Sequence, residues 1–504
     1  MKALGWLTIV LLAGCSGAPA GDNVPVSSAN GEEDESGSLE SSPGDLGKAD
    51  GNGTSASQKR KFQALGRISF GQTLTAPSTP ADPAWSFYAR ADAELDLKAP
   101  GATSISLYGP KPLGGDWPAA LQEATGDTLH AKVTAAGLYG FVVKNGSGLK
   151  VSLSCASNLC TPDTWSQRDQ DGALSLVLVG DLGLTVSEAA VDQKGGTKSG
   201  SYQYYPEMLE GFAHYLSADV NLANLETAVT VAGSKQEKQF TFRMPVEALD
   251  AVTSAGINLV GSANNHAGDY GNGGVVDTIA ALDSAIASKK LLGKAGIGVG
   301  FDAAAAPAVF DMKGVRVAYA SCGIGYNVRG TGVGIAHFSD VKTVIARLAA
   351  TPADLRILSI HAGVERDLSA DETVVDAARK AVDAGIALVH AHHPHVVQGI
   401  EHRGDGLIFY SMGNFELRGA ANMAAQGADR DYGIAARIQF DPAAKRMTQV
   451  NVAALYDMHQ VVYPLAPVKA ADRIGRLNKR SAELGSAGLS LKIDEPTGQG
   501  FAGF

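Results

Sequence analysis

Three patterns of apolar and polar positions succeed one another along the chain. Between 62 and 160, stretches such as SFYARADAELDLKAP, SISLYGP, LHAKVTAAGLYGFVVKN and LKVSLSC alternate apolar with polar residues between Gly and Pro turns. A period of two puts every second side chain on one face, so 62–165 is predicted to be a small antiparallel β-sandwich. From 172 the runs become short, β-branched and apolar throughout: ALSLVLVGD, ADVNLANLE, GINLVGSANNH, RVAYASCG, RILSIHAG, ALVHAHHPH and GLIFYSMGNF. Strands that are apolar on both faces are covered on both faces. Helix-like segments at 272–289 and 370–384 lie between some of these runs, and the alternation predicts a layered α/β domain over 172–485. Residues 486–504 follow as a C-terminal tail.

The first 61 residues differ from both. MKALGWLTIVLLAGCSG carries one charge, Lys2, then an apolar run from Ala3 to Ala13 and a cysteine at 15. The run is too short to span a bilayer and has the form of a secretion signal. The small residues before Cys15 resemble a bacterial lipobox, in which the cysteine is lipidated and becomes the first mature residue; a plain signal peptide with an incidental cysteine is the alternative. Residues 16–61 are rich in Ser, Gly, Asp and Glu, and offer too little apolar surface to offset the entropy of ordering. They read as a disordered tether, holding the folded part away from a membrane in the cell envelope.

Composition changes this picture little. The net charge of −10 supplies no basic face for nucleic acid. Hydrophobic and charged fractions of 45% and 19% are ordinary for a globular chain. Cys155 and Cys160 lie five apart, a spacing that closes a small disulfide loop in an oxidising compartment, while Cys322 ends an apolar strand and reads as a buried thiol.

The candidate chemistry sits where the apolar runs end, at the carboxyl ends of strands, where open α/β sheets collect their sites. Asp181 closes LVLVGD and Glu226 closes NLANLE. Asn264, Asn265 and His266 follow INLVGSA, with Asp269 three residues on. His361 closes ILSIH and Glu365 follows it. His393 and His395 follow IALVHAH, and Asn414 follows LIFYSMG. Five of the chain's 11 histidines lie in VHAHHPHVVQGIEHR. A lone histidine after a strand is usually structural, but carboxylate, amide and imidazole donors gathered from several strand ends suit Zn, Mn or Fe. Pro394 argues against a strand through His393 and His395 and for a loop that turns both rings inward.

VGD, ANLE, ANNHAGDYG, HAGVE, HHPHVVQGIE and YSMGNF resemble, in order, the motifs of the CapA family. These are bacterial capsule or poly-γ-glutamate biosynthesis proteins, similar to calcineurin-like metallophosphoesterases, and the likeness covers roughly 172–460. It implies a four-layer α/β/β/α sandwich with one or two divalent ions at the strand ends. It further implies Asp181, Glu226, Asn265, His361, His393 and His395 as ligands and His266 as proton donor, with Asp269 beside it and Asn414 on the pocket floor. His392 is then expected to be structural or to back the ligands, His390 to point into the sheet, and His402 to be exposed. Two departures stand out: the histidine usual two residues after the first aspartate is Gly183, and the usual bridging aspartate is Glu226. The resemblance implies hydrolysis of a phosphoester or handling of an anionic surface polymer, with membrane attachment through Cys15 and the capsule synthesis machinery as partner. A non-hydrolytic polymer-binding or transfer role, and a degenerate binding protein, are the alternatives. Loops 183–204 and 323–336, with Lys194, Lys198 and Arg329, are expected to rim the pocket.

Overall fold

The computed structural model describes residue 62 and residues 64–504 apart from 69, 112–115, 136, 158, 161–164, 186–204, 327–331, 419–422, 457 and 460. Cys15, the 16–61 tether, Lys194, Lys198 and Arg329 lie outside the described residues.

The alternating pattern of the first region folds into two four-stranded antiparallel sheets. Leu95, Leu97, Leu129 and Leu153 of one sheet meet Phe87, Ile105, Leu107 and Phe141 of the other in a single buried core. Cys155 and Cys160 are joined by a disulfide, and Cys322 is a buried free thiol. These sheets pack on the remainder of the chain within one compact unit. Ser86 donates to Glu210 at 2.9 Å, and Tyr88 stacks on Tyr463 with ring centres 4.7 Å apart.

Beyond 172 the apolar runs build two sheets. In the ten-stranded sheet, Gly293–Ala295, Leu259–Gly261, Val220–Leu225 and Leu174–Gly183 run parallel, and Leu174–Gly183 continues antiparallel into Gly433–Asp441 and Arg446–Tyr456. In the six-stranded sheet, Val315–Gly323, Leu355–His361, Leu388–His392 and Gly406–Phe409 are parallel and each edge strand is antiparallel. Leu174, Leu176 and Leu178 of the first sheet share a core with Val317, Ile357 and Leu388 of the second, so the sheets face each other. Helices Val246–Ser254 and Gly271–Ala287 cover the outer face of the first, and Val341–Ala350 and Glu372–Asp383 that of the second.

The helix Glu372–Asp383 illustrates the local cause. The Asp371 side chain accepts from the Thr373 amide at the N-cap, and Val374, Ala377, Ala378 and Ala381 form one buried stripe at i, i+3, i+4 and i+7. Its small residues let the helix lie close on the sheet.

The C-terminal stretch is not a tail. Gly500–Gly503 pairs antiparallel with Arg446–Tyr456, and Lys492–Ile493 pairs with it in turn. Leu491 is buried in the core between the two sheets, and its backbone is clamped by both polar atoms of Asn478. These contacts are with an edge that exists only after folding, so a short segment containing Gly498, Gly500 and Gly503 carries little local signal. His402 is likewise not exposed: its ring stacks on Phe504 with centres 4.3 Å apart. The Leu491→Ala substitution is expected to cost about 2–5 kcal/mol in denaturant unfolding, as for a core leucine. A change under about 0.5 kcal/mol, the size of a surface effect, would return this segment to the status of a tail.

Candidate metal centre

A β-bulge aims the first carboxylate. Along Leu174–Gly183, Leu174, Leu176 and Leu178 face the second sheet while Val177 and Val179 face the helices. Strict alternation would turn Asp181 to the helix side. The pairing shifts between Leu222 and Asn224, however: Leu178 pairs with Leu222 but Asp181 with Asn224, so the strand gains one residue and Asp181 turns toward the space between the sheets. Gly180 permits this, because a Cβ there would lie 1.8 Å from the Gly413 carbonyl oxygen, which accepts from the Asp181 amide at 3.1 Å.

A second turn aims the imidazoles. The strand Leu388–His392 stops before the HPH segment, and His393 and His395 both have positive φ, 102° and 57°. Such backbone in a non-glycine residue costs on the order of 1–3 kcal/mol and persists where surrounding structure enforces it. It brings His393 beside His361, with ring centres 4.9 Å apart, and His395 beside Asp181, Nδ1 to Oδ2 3.2 Å.

The predicted ligands converge. Donor atoms of Asp181, Glu226 and His395 lie within 4.8 Å of one another, as do those of Glu226, His361 and His393. A third group joins Glu365, which is exposed, to His393 and His395. Asn265 Oδ1 stands 2.8 Å from His361 Nε2. His266 lies at the edge: Nδ1 is 2.7 Å from Asp269 Oδ2, and Nε2 is 3.9 Å from Glu226 Oε1. Asn414 opens the Asn414–Leu417 strand, and its Oδ1 lies 2.9 Å from His395 Nδ1, so its contact is with a ligand ring. The donor set fits a divalent ion. Asp181 and Glu226 are both fully buried, yet Asp181 Oδ2 and both Glu226 oxygens lack a hydrogen-bond partner of good geometry, as does His393 Nδ1. Carboxylates left this way in a dry interior are costly unless a cation neutralises them.

The electrostatics agree. Burial, then the charge of Asp181, pushes Glu226 up to about 8. Burial would raise Asp181 too, but His395 close beside it, with His392 and His361, outweighs this and holds its carboxyl far below the usual range. Burial would lower His395, but Glu226 and Asp181 push it up to about 10, whereas burial takes His361 down to about 4 and His393 to about 3.

Several supporting groups were not signalled by the sequence. Asn224 donates to Asp181 Oδ1 at 2.8 Å and lies 3.1 Å from His361 Nδ1. Asn264, already among the strand-end residues of the sequence, in turn donates to Asn224 Oδ1 and to the Leu225 carbonyl. Lys238 reaches Asp269 at 2.6 Å and the Asn265 carbonyl at 2.8 Å, and Phe242 stacks on the His266 ring at 4.1 Å. Asn224, two residues before Glu226, could have been found from strand alternation; Lys238 and Phe242 lie in a loop without pattern. A small cleft of about 70 Å³ opens over the centre, lined by Phe240, Phe242, His266, Arg366, His395 and Met423 among others.

Fold and site together define a two-sheet α/β protein with a carboxylate–imidazole centre at its strand ends. Residues 175–417, which include every candidate ligand, match the family model described as bacterial capsule synthesis protein PGA_cap. The capsule biosynthesis protein CapA of Bacillus anthracis is 27% identical over 303 residues, 54% of this chain and 69% of that protein. The PGA biosynthesis protein CapA of Bacillus subtilis is 28% identical over 263 residues, 49% of this chain and 63% of that protein. A probable polyglutamine synthesis accessory protein of Mycobacterium tuberculosis is 30% identical over 213 residues, 38% and 54% of the two chains. The α/β part of the chain is therefore similar to the PGA_cap and CapA proteins, as its motifs indicated. Among solved structures, a phosphatase from Mycoplasma pneumoniae aligns at 12% identity and a TM-score of 0.36, covering 59% of this chain and 96% of that one, a likeness too weak to carry an argument.

Metal binding should release protons. Near pH 7 the metal-free centre holds protons on His395, at about 10, and on Glu226, at about 8, which a divalent ion displaces. Affinity should therefore rise from pH 6 to pH 8, and calorimetric heats should scale with the ionisation enthalpy of the buffer. Heats that are the same in every buffer would contradict this electrostatic picture.

Proposed function

We propose that the protein is an exported metal-dependent hydrolase of the CapA family, built on the four-layer α/β/β/α scaffold of the metallophosphoesterases. The observation that carries this reading is the pair of fully buried carboxylates, Asp181 and Glu226, converging with His361, His393 and His395 beneath an open cleft. Asp181, Glu226 and His395 would hold one divalent ion, and Glu226, Asn265, His361 and His393 a second. A bound ion of this kind polarises a phosphoryl or carbonyl oxygen and generates hydroxide near neutral pH.

The chain's own groups have distinct tasks. His266 lines the cleft, and its Nε2 faces the centre while Asp269 fixes Nδ1. It is placed to give a proton to a leaving oxygen. Lys238 holds Asp269, and Phe242 covers the ring, so His266 keeps one orientation. Asn414 and Asp181 together orient His395. Arg366 lines the same cleft and supplies a cation to an anionic substrate, either a phosphoester or the carboxylates of a surface polymer such as poly-γ-glutamate. The names of the relatives favour the polymer and make the capsule synthesis machinery the natural partner. A non-hydrolytic binding or transfer role on the same scaffold remains the second reading, favoured by the missing histidine at Gly183. The signal sequence and Cys15 support attachment to the cell envelope by lipid.

A panel of phosphoesters and anionic polymers, presented to purified protein with Mn or Zn, tests the reaction. His266→Asn should retain bound metal while turnover falls roughly 10²–10⁴-fold. Bound metal with no turnover on any member of the panel would favour the binding role. For the anchor, Cys15→Ser should move the protein from the membrane fraction to the soluble exported fraction, and retention on membranes in high salt would overturn it.

A further inference from the structure

Gly183 stands where the metallophosphoesterase pattern has an imidazole ligand, and the space around that position is tight. A Cβ at 183 would meet Leu417 Cδ1 at 3.0 Å and the Glu226 carbonyl oxygen at 3.2 Å. An ion held beside Asp181 would thus be short of one nitrogen. We propose that His392 provides it, its Nδ1 ligating the same divalent ion as Asp181. The inference rests on the metal-centre reading above.

Tautomers decide the point. His390 Nε2 lies 2.9 Å from the Val179 carbonyl oxygen, which can only accept, so that nitrogen carries a proton. His390 is fully buried and its other partners, Ser359 and His392, are not anions. A second proton would make an unpaired cation in the core, so Nδ1 keeps its lone pair. His392 Nε2 lies 3.1 Å from that lone pair. Two bare nitrogens at that distance would repel, so His392 Nε2 is the donor. Ser359, also 3.1 Å from His390 Nδ1, has Tyr319 as a second partner at 2.9 Å and does not need the His390 lone pair.

The proton on His392 is therefore spent on Nε2, and its Nδ1 is bare. That atom is fully buried, has no hydrogen-bond partner, and lies 3.7 Å from Asp181 Oδ1. A structural histidine would meet a donor there; this one meets a carboxylate. A lone pair facing a carboxylate in a dry interior calls for a cation between them. Two donors bound at about 2.0–2.1 Å to one ion stand about 3–4 Å apart, which the observed separation satisfies. His392 approaches Asp181 from the Oδ1 side and His395 from the Oδ2 side, so the two rings flank the carboxylate. The sheet supplies this geometry directly: Leu388, His390 and His392 share the face of their strand that looks toward the first sheet, and alternation carries the third of them to the centre.

Calorimetric titration of the chelator-stripped full-length protein with Zn²⁺, together with the visible spectrum of the Co²⁺-loaded protein, tests this. His392→Phe, which keeps a ring in the core but no nitrogen, should weaken the site at Asp181 by more than about 100-fold, beyond the 10–100-fold lost with a group that only backs a ligand, and change the Co²⁺ spectrum. His395→Ala should weaken it as well. If His392→Phe binds with wild-type affinity and spectrum while His395→Ala does not, His392 is no ligand and the metal centre stands without it. If the wild-type protein takes up neither ion, both readings fall. Should His392→Phe fail to fold, as judged by circular dichroism of the metal-free protein, His392→Asn places an amide oxygen near the Nδ1 position. It should then give a smaller loss of affinity with a shifted spectrum, and an unchanged spectrum would overturn the proposal.

Discussion

Two carboxylates, Asp181 and Glu226, are shut away from water at the ends of adjacent parallel strands. Like charges so close in a medium of low polarity destabilise each other and the fold that holds them. Everything nearby answers that constraint. Asn224 donates to Asp181, His395 pairs with it, and three further imidazoles, His361, His392 and His393, surround the pair without exposing it. In the metal-free protein a proton must do part of the work of a cation, which explains why burial and Asp181 push Glu226 up while both carboxylates push His395 up. A divalent ion does that work better, and the positive-φ backbone at His393 and His395 is the strain that keeps the rings in place for it.

The scaffold serves this arrangement. Two facing sheets bring six strand ends to one rim, and the core between them excludes water from the back of the site. The bulge before Asp181 and the close approach at Gly180 set the direction of one oxygen atom, and the C-terminal strand completes the sheet that carries it. The match to the PGA_cap family model spans this same set of strand ends. Capsule, PGA and polyglutamine synthesis appear in the names of relatives whose match covers 54% to 69% of their own lengths. Arg366 and His266 line the cleft over the centre.

Much of the centre was legible because strand ends are legible. Each apolar run stops at a polar residue, and Asp181, Glu226, His361 and the HPH segment are those residues. His390, expected to point into the sheet, reaches the Val179 carbonyl of the facing sheet. What was not legible depends on contacts distant in sequence. Lys238 reaches Asp269 from a loop 31 residues away, and the protonation of His392 follows from a carbonyl 211 residues from His390. The C-terminal strands were read as a tail because their partner edge is formed by residues 446–456, not by their neighbours. For His392, spacing alone cannot say which nitrogen holds the proton.

Anomalous X-ray scattering from crystals grown with Zn²⁺ or Mn²⁺, recorded on either side of the metal edge, tests the central claim most directly. The account predicts a peak within bonding distance of Asp181, Glu226 and His395, with carboxylate and imidazole nearest neighbours. The absence of any anomalous peak at Asp181, with His395 paired to it as an ordinary buried ion pair, would contradict it.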